Sequence, residues 1–112
     1  MQQKQIIMGF FDFLMGSSTS SEELTKLIED GAMLVDVRSP EEFSTGSAKG
    51  AVNIPLDRVG NSLEKFKNKS HIIVFCRSGN RSGQAKSILE RNGFTNVTNG
   101  GTWDQVATLI NK

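Results

Sequence analysis

A chain of 112 residues, 37% apolar and 22% charged, has room for one domain with a single core. A net charge of +1 speaks against a nucleic-acid binder or a polybasic membrane protein. A single cysteine excludes an internal disulfide and a CxxC redox pair, and one histidine beside it is too few ligands for an ordinary structural zinc site.

Residues 1–17 form an apolar appendage and linker, and residues 18–112 the domain. The apolar part, Ile6 to Met15, is ten residues long, too short to span a bilayer, and Gly9 and Asp12 interrupt it. The expected setting is therefore cytoplasmic, with the periplasm also compatible, and no integral membrane segment is expected. Phe10, Phe11, Phe13 and Leu14 suit a short amphipathic helix that docks on the domain, on another copy or on a membrane surface.

Ser20 with Glu23 three residues on fits a capping box, Leu24, Leu27 and Ile28 give a helical stripe, and Gly31 is a natural stop. Met33 to Val37 reads as a strand ending in Arg38. Ser39-Pro40-Glu41-Glu42 then restarts a helix with a cap, a proline at the first position and a returning glutamate. Ala51 to Ile54 is a short strand closed by Pro55. Leu56, Val59, Leu63 and Phe66 share a helical face that Gly60-Asn61 divides into two turns.

His71 to Phe75 is a continuous apolar run, as in a central parallel strand covered on both sides. A helix through Ala85, Ile88 and Leu89 follows and closes at Asn92-Gly93, with Phe94 folding back. Asn96 to Thr98 is a weak last strand, and Trp103, Val106, Ala107 and Ile110 mark a terminal helix. Alternating strands and helices predict an α/β fold: a small parallel sheet of four to five strands, flanked by helices on both faces.

Between the last strand residue and the next helix lies Cys76-Arg77-Ser78-Gly79-Asn80-Arg81-Ser82. Ligands in such sheets bind beyond the carboxyl ends of the strands, which is where this order places Cys76. Unpaired N–H groups at a helix start favour negative charge and would make the thiol acidic and nucleophilic. Gly79 permits the left-handed backbone such a loop needs. Arg77 and Arg81 offer planar forks for an oxyanion, and Ser78, Asn80 and Ser82 offer further donors. From Lys65 to Glu90 the chain carries six basic residues before its next acidic one, which suits an anionic substrate. His71 is a strand-edge residue; about 16 Å of extended chain keeps it from acting on Cys76.

These motifs resemble the single-domain rhodanese family over roughly Ser18 to the C-terminus. Val35-Asp36-Val37-Arg38 with Glu41-Glu42-Phe43 resembles its first motif, and Gly46 through Gly50-Ala51-Val52-Asn53-Ile54-Pro55 its second. Cys76 to Ser82 resembles its active loop, and Gly100-Gly101 with Trp103 its C-terminal signature. The resemblance implies persulfide chemistry on Cys76, with Arg77 to Ser82 binding substrate and no metal or organic cofactor. The partners it implies are a small anionic sulfur donor such as thiosulfate and an acceptor that is cyanide, a thiol or a carrier protein. Asp36 and Arg38 are expected to tie strand ends together by an ion pair or hydrogen bond.

The chain departs from the pattern where Ser47-Ala48 replaces a His-Ile pair and Asn99 replaces an apolar residue, which bears on local packing and on a partner surface. Two other functions compete. Phosphatases and arsenate reductases of related fold hold five residues between cysteine and arginine, whereas this loop holds four, Arg77 to Asn80. A non-catalytic binding module is the other; such modules often lose the cysteine that this chain keeps.

Overall fold

In the computed structural model, which describes residues 19–110, strands and helices alternate from Ser21 onward. The expected appendage over residues 1–17 lies outside the described residues. Helix α1 (Ser21–Glu29) begins at Ser20, whose hydroxyl accepts from the Glu23 N–H while the Glu23 carboxylate accepts from the Ser20 N–H. The same reciprocal cap, built from Ser39 and Glu42, starts α2 (Pro40–Ser44). Both capping boxes are legible in sequence because they join residues only three apart.

Strands β1 (Met33–Asp36), β2 (Val52–Asn53), β3 (Ile72–Cys76) and β4 (Val97–Thr102) form a sheet in the order β2-β1-β3-β4. All three pairings are parallel. The count is thus four, and β3 is an inner strand with helices packed over both faces, which accounts for its unbroken burial. Its side chains divide the core. Ile72, Val74 and Cys76 pack with Val59, Phe66, Ala85 and Leu89, while Ile73 and Phe75 pack with Leu24 and Val106.

One face therefore carries α3 (Leu56–Val59), the 3-10 turn Leu63–Phe66 and α4 (Asn80–Arg91). The other carries α1 and α5 (Trp103–Ile110). Gly60 and Asn61 separate α3 from the 3-10 turn, as their composition predicts. Phe94 folds back as expected: its N–H donates to the Leu89 carbonyl at 3.1 Å, and its ring meets Phe66 edge-on.

The largest departure from expectation is β4, which runs to Thr102 instead of ending at Thr98. The glycine pair does not stop the strand; it bends it. Asn99 pairs with Val74 and Gly101 with Phe75, so Gly100 is the extra residue of a bulge. A side chain there has no room, since an added Cβ would lie 2.8 Å from Ile73 Cγ2 and 3.2 Å from Val106 Cγ2. Gly100→Ala should accordingly destabilise the domain by about 1–3 kcal/mol through overpacking, read as a lowered midpoint in thermal or urea unfolding.

Candidate active site

Strand β3 ends at Cys76 and α4 begins at Asn80, so a three-residue loop must reverse the chain. Gly79 makes that possible by taking φ +94°, in the left-handed region. The turn brings the start of α4 over the sulfur. Cys76 Sγ accepts a hydrogen bond from the Gly79 N–H at 3.0 Å and from the Ser82 N–H at 3.4 Å. No side chain of the Gly79 cap serves the helix; the sulfur takes that part, accepting from a first-turn N–H as a serine or aspartate otherwise would.

Burial alone would raise the Cys76 thiol, whose side chain is fully enclosed. The Ser82 hydroxyl, 3.4 Å away and able to donate to the sulfur only when it turns from Asn99, and the Ser82, Ser78 and Gly79 N–H groups outweigh it and bring the thiol below its usual value of 9.0. The N–H groups that reach the sulfur are fewer than the loop from Arg77 to Ser82 offers. The Asn80 N–H turns instead to Ser78 Oγ at 3.4 Å, and Asn80 Oδ1 accepts from Gln84. Arg77, Ser78 and Asn80 are exposed around the buried sulfur, with Gly79 half-buried between them.

The two arginines differ in their partners. Arg77 is exposed. Arg81 is held in a bidentate pair with Glu42, Nη1 to Oε1 at 2.7 Å and Nη2 to Oε2 at 3.0 Å. The sequence expects Arg81 to serve an oxyanion and gives no sign of this pairing, which joins residues 39 positions apart. Arg81 also forms part of one wall of an open groove of about 700 Å³, with Val37, Pro55, Leu56, Arg58 and Ile88 among its other lining residues.

Glu42 carries two duties, because the carboxylate that receives Arg81 also completes the α2 cap. Arg81, then the Ser39 N–H, hold its carboxyl at about 2, well below the usual 4.5.

Beside the loop, at the end of β1, a second cluster is fully enclosed. Asp36 accepts from Arg38 Nη2 at 2.7 Å and from the Arg38 backbone N–H at 3.0 Å. Arg38 Nη2 also donates to the Gly46 carbonyl, and its guanidinium lies 4.7 Å from the Trp103 ring centroid. Asn53 Nδ2 donates to the carbonyls of Asp36 and Arg38, both at 2.9 Å. The expected ion pair is therefore present, and it joins β1, β2, the Gly46 loop and α5. The departure at Ser47 is absorbed here: its hydroxyl donates to Asp36 Oδ2 at 2.7 Å. Ala48 is buried on the α1 and α5 side of the sheet.

Asn99 belongs to the site as well. Its side chain accepts from the Ser82 hydroxyl at 2.7 Å and donates to the Gly79 carbonyl at 3.1 Å. The sequence marks Asn99 as unusual without saying what it touches. His71 lies at the other end of β3, where it shares a 2.7 Å hydrogen bond with Thr98. Among the described residues, no cluster of three His, Cys, Asp or Glu side chains is placed to hold a metal, and no helix is long and apolar enough to cross a membrane.

A four-stranded parallel α/β domain, with a buried cysteine capping the helix after its central strand, defines a class of small thiol-loop proteins. Comparison with known proteins makes the class specific. The rhodanese-like domain profile matches residues 20–101, and the chain belongs to that family. It is 40% identical over 76 residues to the thiosulfate sulfurtransferase PspE of Escherichia coli, covering 65% of this chain and 72% of that protein. It is 39% identical over 93 residues to the chloroplastic thiosulfate sulfurtransferase 16 of Arabidopsis thaliana, covering 72% and 78%. Among solved structures, the human single-domain sulfurtransferase TSTD1 superposes with a TM-score of 0.68 at 29% identity, covering 79% of this chain and 92% of that one.

The pH dependence of stability follows from Glu42. A carboxyl held at about 2 when folded, against 4.5 ordinarily, contributes stability that is whole above pH 4.5 and lost as the pH falls towards 2. Glu42→Gln keeps a capping side chain but no charge. The stability gap between wild type and Glu42→Gln should therefore be widest above pH 4.5 and close as the pH falls towards 2, measured by urea unfolding across that range.

Proposed function

We propose that the protein is a sulfurtransferase that carries a sulfane sulfur on Cys76. The observation that carries this reading is the convergence of the Gly79 and Ser82 N–H groups on Sγ. In the first half-reaction the Cys76 thiolate attacks the outer sulfur of thiosulfate. A new S–S bond forms, the bond to the sulfonate sulfur breaks, and sulfite leaves with its electron pair. In the second, a nucleophile (cyanide, a thiol or a carrier protein) takes the outer sulfur and returns the thiolate.

Each step moves negative charge between Sγ, the sulfur beyond it and the departing group. Fixed N–H dipoles at the start of a helix stabilise such charge without reorganising. Cys76 is buried and the loop residues that follow it, Arg77, Ser78 and Asn80, are exposed, so the donor approaches across that loop. Arg77, free of the bidentate bond that holds Arg81, meets the sulfonate end. Arg81 contributes the field of its guanidinium, tethered by Glu42, and keeps the start of α4 in place. Ser78, Gly79, Asn80 and Ser82 complete the pocket for the outer sulfur. The names of the relatives, thiosulfate sulfurtransferases in a bacterium and a plant, support the donor class. A cytoplasmic setting, where thiols stay reduced, suits a protein whose reactive group is its sole cysteine.

Intact mass tests the first half-reaction. Incubation with thiosulfate should add about 32 Da, removable by reductant and absent in Cys76→Ala. No gain in the wild-type protein would reject the carrier role in favour of a binding module, and hydrolysis of an aryl phosphate without release of sulfite would favour the phosphatase reading. In steady-state turnover, Arg77→Ala should lower kcat/KM for thiosulfate by about 10-fold or more, as single-donor losses at oxyanion sites do.

A further inference from the structure

We propose that Asn99 is a positioning residue that competes with Cys76 for the hydroxyl proton of Ser82, and so sets how readily the thiol ionises. The orientation of the Asn99 amide is fixed by two backbone groups. The Gly101 N–H can only donate, and it points to Oδ1 at 2.9 Å. The Gly79 carbonyl can only accept, and it faces Nδ2 at 3.1 Å. Oδ1 is therefore the atom 2.7 Å from Ser82 Oγ, and since it bears no hydrogen the serine must donate.

A serine has one hydroxyl proton. The same oxygen lies 3.4 Å from Cys76 Sγ. While the proton serves Asn99, Ser82 shows the sulfur only lone pairs, which can accept from a thiol S–H but repel a thiolate. To donate to the thiolate, the hydroxyl must leave its shorter bond to Asn99. Either course opposes ionisation, so Asn99 restrains the acidity that the Gly79 and Ser82 N–H groups promote.

The restraint favours the loaded protein. A thiolate with one donor fewer is a stronger nucleophile, and the inner sulfur of a persulfide is uncharged and needs no proton from Ser82. This meaning rests on Cys76 being the sulfur carrier, but the proton competition does not need a sulfur donor to be measured. Charged groups near the loop are Arg77, Arg81 of α4 with its partner Glu42 of α2, and Asp36 with its partner Arg38 at the end of β1; β4, which supplies Asn99, has none.

The chain has one cysteine and no tyrosine, so its far-ultraviolet thiolate absorbance titrates Cys76 alone. Asn99→Leu should release Ser82 to the sulfur and raise the thiolate fraction at a fixed pH below the midpoint by about 3-fold or more, the scale of one net hydrogen bond. In a Ser82→Ala background the same substitution should leave the titration unmoved. Asn99→Ala gives the same readout should the larger side chain prevent folding. A titration that stays in place or moves to higher pH, as a loosened loop would make it, overturns the proposal. So does an equal shift in the Ser82→Ala background. A shifted titration in a protein that gains no sulfur from thiosulfate would support the role of Asn99 while rejecting the carrier function.

Discussion

The start of α4 turns its Gly79 and Ser82 N–H groups onto the sulfur of Cys76, with only the Asn80 N–H going to a neighbouring side chain, that of Ser78. Helix starts leave N–H groups without partners, and in this domain the most exposed consequence of that rule is turned inward, onto a buried thiol at the end of the central strand. The requirement is mutual. The helix needs an acceptor, and the sulfur needs donors to offset its burial. Sheet, loop and helix are held in one geometry by a group that can change its charge.

Around that contact the charged side chains are neutralised in pairs. Asp36 pairs with Arg38 and Glu42 with Arg81, the first pair enclosed, the other about one-third exposed. The enclosed pair packs against Trp103 of α5, and Asn53 bonds to the carbonyls of both its residues, so it ties the ends of β1 and β2 together. The outer pair joins the caps of two helices. The positive field expected from a run of basic residues is consequently narrower than the sequence suggests, with Arg77 the arginine of the loop left outside these pairs.

Much of this was legible because it is local. Both capping boxes, the proline at the start of α2, the glycine at Gly79 and the buried run of β3 are set by residues within a few positions of one another. What escaped is long-range. The partner of Arg81 lies 39 residues away and that of Ser82 lies 17 away, and no periodicity links them. The extent of β4 escaped for a different reason. Two consecutive glycines have weak strand preference, and only the close approach of Ile73 and Val106 explains why a residue without a side chain belongs there.

That bulge also settles which way β4 faces. Side chains of a strand alternate between the two sides of a sheet, and a single supernumerary residue reverses the alternation for everything beyond it. Before Gly100, Asn99 stands in register with Val74, on the α4 side with Ser82; beyond it, the strand delivers Trp103 to the layer that holds Arg38. Two residues four apart in the chain thus serve opposite layers of the domain: the Asn99 amide of β4 reaches the thiol loop, and the Trp103 indole at the start of α5 packs on Arg38 of the ion pair.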